Sequence, residues 1–185
     1  MIKVSDRSHF LKVLKAFLPE KCRCAEIGVL YGDFSKLILD IIEPKNLILI
    51  DPYEISESKY GDENSLSTAY STEDDYANLL ERFKPEIYSG QVFVNRKYSY
   101  DAVDYCPDKF FDFIYHDGSH LYEHLKRDLV EWLPKVKEDG IICGHDYIEN
   151  YKEYVCKAVD EFCAEYNFKM ILFNENGGDF ALKKI

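Results

Sequence analysis

The 185 residues carry 46% hydrophobic and 15% aromatic side chains, apolar material for one substantial core, and the length argues for one domain rather than two. A formal net charge of −11, with no Lys/Arg run longer than Lys126-Arg127 or Lys183-Lys184, argues against a nucleic-acid partner. No apolar stretch reaches the roughly eighteen residues of a membrane span and no basic-then-apolar leader is visible, so a cytoplasmic protein with no membrane partner is expected.

Phe10, Leu11, Leu14, Phe17 and Leu18 recur at helical spacing behind Ser5 and Ser8, which predicts an N-terminal helix within residues 1–20, closed by Pro19. A strand is expected at Arg23–Ile27, a helix from about Asp33 to Ile42, and a strand buried on both faces over the apolar run 47–50. Residues 54–71 hold acids, serines and tyrosines without usable period and read as a loop or lid. Ser71 and Asp74 form a capping box for a helix reaching Phe83. Further strands are expected at 92–95, 111–115 and 141–143, with Leu121, Leu125, Leu129, Trp132, Leu133 and Val136 lining one face of the intervening helix. Val155, Val159, Phe162, Cys163 and Tyr166 mark another helix, and 168–173, a Gly177-Gly178 turn and 180–182 read as a terminal hairpin.

Strands alternating with helices, then an antiparallel pair, describe an α/β, doubly wound, mostly parallel sheet with one reversed strand and helices on both faces. Ligands of such sheets sit beyond the carboxyl ends of the strands, so strand ends are where chemistry is sought. The six cysteines, Cys22, Cys24, Cys106, Cys143, Cys156 and Cys163, read as reduced thiols, and Cys156 and Cys163 as small core residues.

The first strand ends in Glu26-Ile27-Gly28-Val29-Leu30-Tyr31-Gly32 and runs directly into a helix. Gly28 permits a tight turn with close ligand approach, and the helix N-terminus offers free N–H groups to a carboxylate. Residue 30 is Leu, so the Gly-x-Gly-x-x-Gly dinucleotide fingerprint is absent. Acid-x-Gly-x-x-x-Gly instead resembles motif I of the class I S-adenosylmethionine-dependent methyltransferases. Asp51, 25 residues after Glu26 at the end of the second strand, suits a carboxylate accepting hydrogen bonds from both ribose hydroxyls. The resemblance implies a Rossmann-like sheet of the seven-stranded type, with S-adenosylmethionine bound by Glu26, Gly28, Tyr31, Gly32, Asp51 and Asp117. Ser99 falls where that family contacts adenine; capping the next helix is its other reading.

The densest chemistry is Asp117-Gly118-Ser119-His120-Leu121-Tyr122, an amphipathic helix, and then His145-Asp146-Tyr147 after a further strand. This order resembles the macrocin-type O-methyltransferases over about residues 23–147. In that family and the catechol-type enzymes, oxygen donors at matching positions hold a divalent cation, which implies Asp117, Asp146 and His145 as ligands of Mg2+ or Mn2+. Imidazole at 145 favours the softer ions; the alternative is that His145 is no ligand and the site is metal-free. His120, three residues after Asp117, is the implied catalytic base with Asp117 beside it; an unperturbed imidazole titrates near pH 6.5. Packing at the helix start is its alternative. His116, His120 and His124 invite a zinc-hydrolase reading, which Gly118 opposes by breaking the helix that reading requires. The expected activity is methyl transfer to oxygen of a small hydroxylated molecule such as a sugar or natural-product intermediate. Alternatives are a nicotinamide-dependent oxidoreductase and a non-catalytic cofactor-binding module. The sequence sets no oligomeric state, and a homodimer is compatible with it.

Overall fold

Short apolar runs separated by amphipathic helices assemble into an eight-stranded sheet with helices on both faces; the computed structural model describes residues 1–53 and 72–185. The segment 54–71, expected to be a loop or lid, lies outside the described residues. In chain order the elements are β1 (Ile2–Val4), α1 (Arg7–Lys15), β2 (Arg23–Ile27), α2 (Asp33–Ile42), β3 (Asn46–Ile50), α3 (Glu73–Arg82), α4 (Lys84–Tyr88) and β4 (Val92–Asn95). They continue with α5 (Ser99–Ala102), β5 (Phe111–His116), α6 (Tyr122–Trp132), β6 (Val136–Gly144), α7 (Lys157–Tyr166), β7 (Phe168–Asn174) and β8 (Phe180–Lys184). No helix among the described residues is long and apolar enough to cross a membrane.

The strand order is β1-β7-β8-β6-β5-β2-β3-β4, and β8 alone runs against its neighbours. From β2 the chain moves through β3 and β4 toward one edge, then returns to pair β5 on the other side of β2 and moves outward through β6. The carboxyl ends of β2 and β5 therefore flank the switch point, the crevice where such sheets bind ligands.

Period-two alternation sorts the strand side chains into two cores. Cys24, Leu47, Leu49, Phe113 and Tyr115 pack with Phe10, Leu11 and Leu14 of α1, Phe34 and Ile38 of α2, and Leu79 of α3. Ala25, Ile27, Ile50, Ile114 and Ile142 pack with Leu125, Leu129 and Trp132 of α6 and Val159 and Phe162 of α7. The run 47–50 is apolar on both faces because helices cover the sheet on both sides, and it is too short for a helix.

Several expectations are corrected. Residues 2–4 form an edge strand parallel to β7, so the sheet has eight strands rather than seven. Three residues are too few for a periodic signal. The N-cap of α1 is Asp6, whose side chain accepts the His9 N–H, in place of Ser5 or Ser8. The capping box of α3 is Thr72 with Asp75, one residue beyond the expected pair. Residues 152–156 form a π-helical turn ahead of α7. The six cysteines are unbridged, as expected; Cys163 packs half-buried against the second core, while Cys156 is half-buried rather than a core residue.

Candidate active site

The loop after β2 is shaped by what presses on it. Gly28 has φ +85°, and a Cβ there would lie 2.3 Å from the Asp117 carbonyl oxygen, so only glycine lets the β5 end lie against the β2 end. Leu30 also takes a left-handed conformation, φ +52°, where a side chain is costly. Asp51, buried at the end of β3, offsets that cost: its Oδ2 accepts the N–H groups of Val29 and Leu30 at 2.9 and 3.1 Å, and its Oδ1 accepts that of Tyr53 at 2.9 Å. Tyr53 returns its hydroxyl to the Leu30 carbonyl at 3.0 Å. Asp51 thus holds the loop's shape from the carboxyl end of β3.

The other expected cofactor residues divide. Glu26 is buried, accepts the Ser35 hydroxyl, and is pushed up to about 8 by burial, so at neutral pH most of it carries a proton. It reads as an interior carboxyl rather than an exposed ligand. Gly32 begins α2 at φ +75° beneath Phe83 and Leu79, which a Cβ would strike at 2.5 and 2.7 Å. The Tyr31 side chain is exposed, and its carbonyl accepts from Arg82 at 2.7 Å. Ser99 does not cap α5, whose N-cap is Tyr98; its hydroxyl donates to Asp128 of α6 at 2.6 Å. Burial pushes Asp128 up to about 6 against that hydrogen bond.

Parallel pairing of β5 and β6, with His116 opposite Gly144, sets Asp117 beside His145 and Asp146. Two further bonds pin these ends: Asp117 N–H to the Ile27 carbonyl at 2.7 Å and His145 N–H to the His116 carbonyl at 3.1 Å. His120 then turns back into the same space. Its Nε2 lies 2.9 Å from Asp146 Oδ2 and 3.8 Å from Asp117 Oδ1; His145 Nδ1 lies 3.1 and 3.6 Å from the same two oxygens. Asp117, His120 and Asp146 form the group able to hold a metal ion among the described residues, with one donor atom each and all within 4.8 Å. The expected set contained His145 in place of His120; His145 lies beside the same two carboxylate oxygens without joining that group. Tyr151 lies over the His120 ring at 5.1 Å.

Electrostatics also correct the expected base. Burial opposes protonation of His120, but the carboxylates of Asp117 and Asp146 outweigh it and raise the imidazole to about 9. Burial likewise works against the Asp146 carboxylate, and His120 and His145 hold it below the usual range all the same. The three spaced histidines do not converge. His116 is buried with neither ring nitrogen partnered among the described residues, and burial lowers it to about 3. His124 Nδ1 pairs with the Ser119 hydroxyl at 2.8 Å.

Sequence reasoning missed two residues at this site. Arg7, the first residue of α1, places Nη2 2.9 Å from Asp117 Oδ2 and Nε 3.0 Å from Asp179 Oδ1. Asp179, fully buried before β8, also accepts the Tyr115 hydroxyl and the Asn174 amide. Asp179 had a faint signal, an acid directly after Gly177-Gly178; a lone arginine in an amphipathic helix had none.

The model of a family described as a methyltransferase domain matches residues 25–147, which include the loop after β2, Asp51 and the Asp117/His120/Asp146 group. No curated protein matches the sequence. Among solved structures, a protein of Corynebacterium glutamicum is similar at a TM-score of 0.69 and 14% identity, covering 98% of this chain and 83% of that one. A Staphylococcus aureus protein assigned as a caffeoyl-CoA O-methyltransferase is similar at a TM-score of 0.61 and 15% identity, covering 97% of this chain and 85% of that one. The precorrin-6y C5,15-methyltransferase of Geobacter metallireducens is similar at a TM-score of 0.61 and 13% identity, covering 95% of this chain and 83% of that one.

Proposed function

Because the chain belongs to this methyltransferase family and is an S-adenosylmethionine-dependent methyltransferase of class I, we propose that it methylates an oxygen of a small hydroxylated molecule, such as a sugar or natural-product intermediate, with a divalent cation assisting. The observation that carries the proposal is the convergence of Asp117, His120 and Asp146 at the carboxyl ends of β5 and β6, beside the loop after β2. Similarity to the caffeoyl-CoA O-methyltransferase layout supports oxygen as acceptor, and the order Asp117, His120, His145-Asp146 supports the macrocin-type relationship.

The donor set fits a cation. Two carboxylates supply charge, and both ring nitrogens of His120 are buried without an aligned hydrogen bond to any described residue. One imidazole among carboxylates favours Mn2+, Fe2+ or Zn2+ over Mg2+. When bound, the ion supplies Lewis acidity that lowers the pKa of a coordinated hydroxyl. His120, raised to about 9, keeps its proton at neutral pH while it lies between the carboxylates, and gives that proton up when it serves as a ligand. As a free general base at neutral pH it is unavailable, which shifts the burden of activating the hydroxyl to Asp117, Asp146 and the cation they hold.

The test is transfer of labelled methyl from S-adenosylmethionine to a panel of sugars and other small polyols and phenols, run in chelator and again after addition of Mn2+. Turnover should need the ion and fall with Asp146→Asn. Turnover that persists in chelator would remove the cation from the mechanism, and labelling of amines alone would remove oxygen as the acceptor.

A further inference from the structure

Arg7 lies outside the segment matched to the family, yet it reaches the reaction centre. Its placement is tightly determined. Both oxygens of buried Asp179 are used, Oδ1 by Arg7 Nε and the Tyr115 hydroxyl and Oδ2 by Asn174 Nδ2 at 2.6 Å. The guanidinium also lies over the Phe34 ring, 4.6 Å from its centroid, and donates to the Tyr115 hydroxyl at 3.2 Å. The planar guanidinium is thereby held by α2, β5 and the β7–β8 hairpin before it meets Asp117. Of these partners only Asp117 belongs to the Asp117/His120/Asp146 group.

The geometry points to Arg7 as a positioning residue that holds Asp117 Oδ2 out of the cation site, so that this carboxylate offers a single oxygen, Oδ1, toward His120 and Asp146. Oδ2 is engaged at 2.9 Å, while among the described residues Oδ1 faces the two imidazoles, at 3.6 and 3.8 Å. Arg7 also sets a fixed positive charge behind a ligand, where it repels the ion that ligand holds. Both effects weaken binding, and their sign separates this role from plain support of the fold, whose loss would loosen the site. The inference rests on the cation reading above.

The experiment measures Mn2+ binding to the whole protein by electron paramagnetic resonance and calorimetry, in wild type, Arg7→Gln, Arg7→Lys and Asp117→Asn, with S-adenosylhomocysteine affinity and thermal melting as checks of folding. Arg7→Gln removes the charge and frees Oδ2, so Mn2+ should bind roughly tenfold tighter, opposite in sign to the roughly 10–100-fold loss that follows removal of a group supporting a metal ligand. Arg7→Lys keeps the charge but not the fork that spans Asp179 and Asp117, so its affinity should fall between wild type and Arg7→Gln, and Asp117→Asn should abolish binding. Mn2+ affinity unchanged or weakened in a folded Arg7→Gln protein overturns the inference and leaves the cation reading intact. Binding by Arg7→Gln but not by wild type upholds the restraint and overturns the cation reading for the natural chain; binding by neither overturns both.

Discussion

Acid should destabilise this protein through His116. The ring is 5% exposed, neither nitrogen has a partner among the described residues, and burial lowers it to about 3. An unfolded chain takes up that proton near pH 6.5, so between the two values the unfolded state binds a proton that the folded state refuses. The folded value is depressed, so its contribution is fully present above about pH 6.5 and is lost as pH falls toward 3, at up to about 1.4 kcal/mol per pH unit. From about pH 7.5 to about pH 5.0 the loss comes to about 2 kcal/mol. His120, raised to about 9, contributes with the opposite sign: its stability is present at low pH and lost as pH climbs through that value. Because His120 is common to wild type and His116→Leu, its contribution cancels in their difference. Urea unfolding of both proteins across this range should show the wild type losing about 2 kcal/mol relative to the variant. Parallel pH profiles would refute the reasoning and would mean that the folded state accepts the proton on His116.

Asp51→Ala removes the acceptor of three backbone N–H groups, so it should cost about 2–3 kcal/mol of stability and weaken S-adenosylhomocysteine binding. Unchanged calorimetric affinity in a folded variant would take Asp51 out of the cofactor site. Gly28→Ala drives a Cβ to 2.3 Å from the Asp117 carbonyl at a positive φ and should cost at least roughly 2 kcal/mol. An unaltered melting temperature would show that the two strand ends do not press together. Ser99→Ala strips buried Asp128 of a hydrogen bond and should lower stability by about 1–2 kcal/mol while leaving S-adenosylhomocysteine affinity unchanged. A clear loss of affinity would return Ser99 to the adenine-binding role.

Much of this protein is legible in one dimension because its signals are local. Apolar runs such as 47–50 and the periodic Leu125, Leu129 and Trp132 depend on neighbours within a few residues, and they determine an α/β sheet covered on both faces. The loop after β2 and the strand-end acids Asp51, Asp117 and Asp146 are legible for the same reason, since in a parallel sheet every strand delivers its carboxyl end to one side. What a side chain meets there depends on residues far away in sequence, and only the tertiary structure decides it. Ser99 is spent on Asp128, Glu26 is sealed with Ser35, and His120 rather than His145 completes the group with the two aspartates. Arg7 meets Asp117 and Asp179 across 110 and 172 residues of chain. No local pattern encodes such a meeting, because it exists only once α1 has docked on α2 and the terminal hairpin has paired with β6.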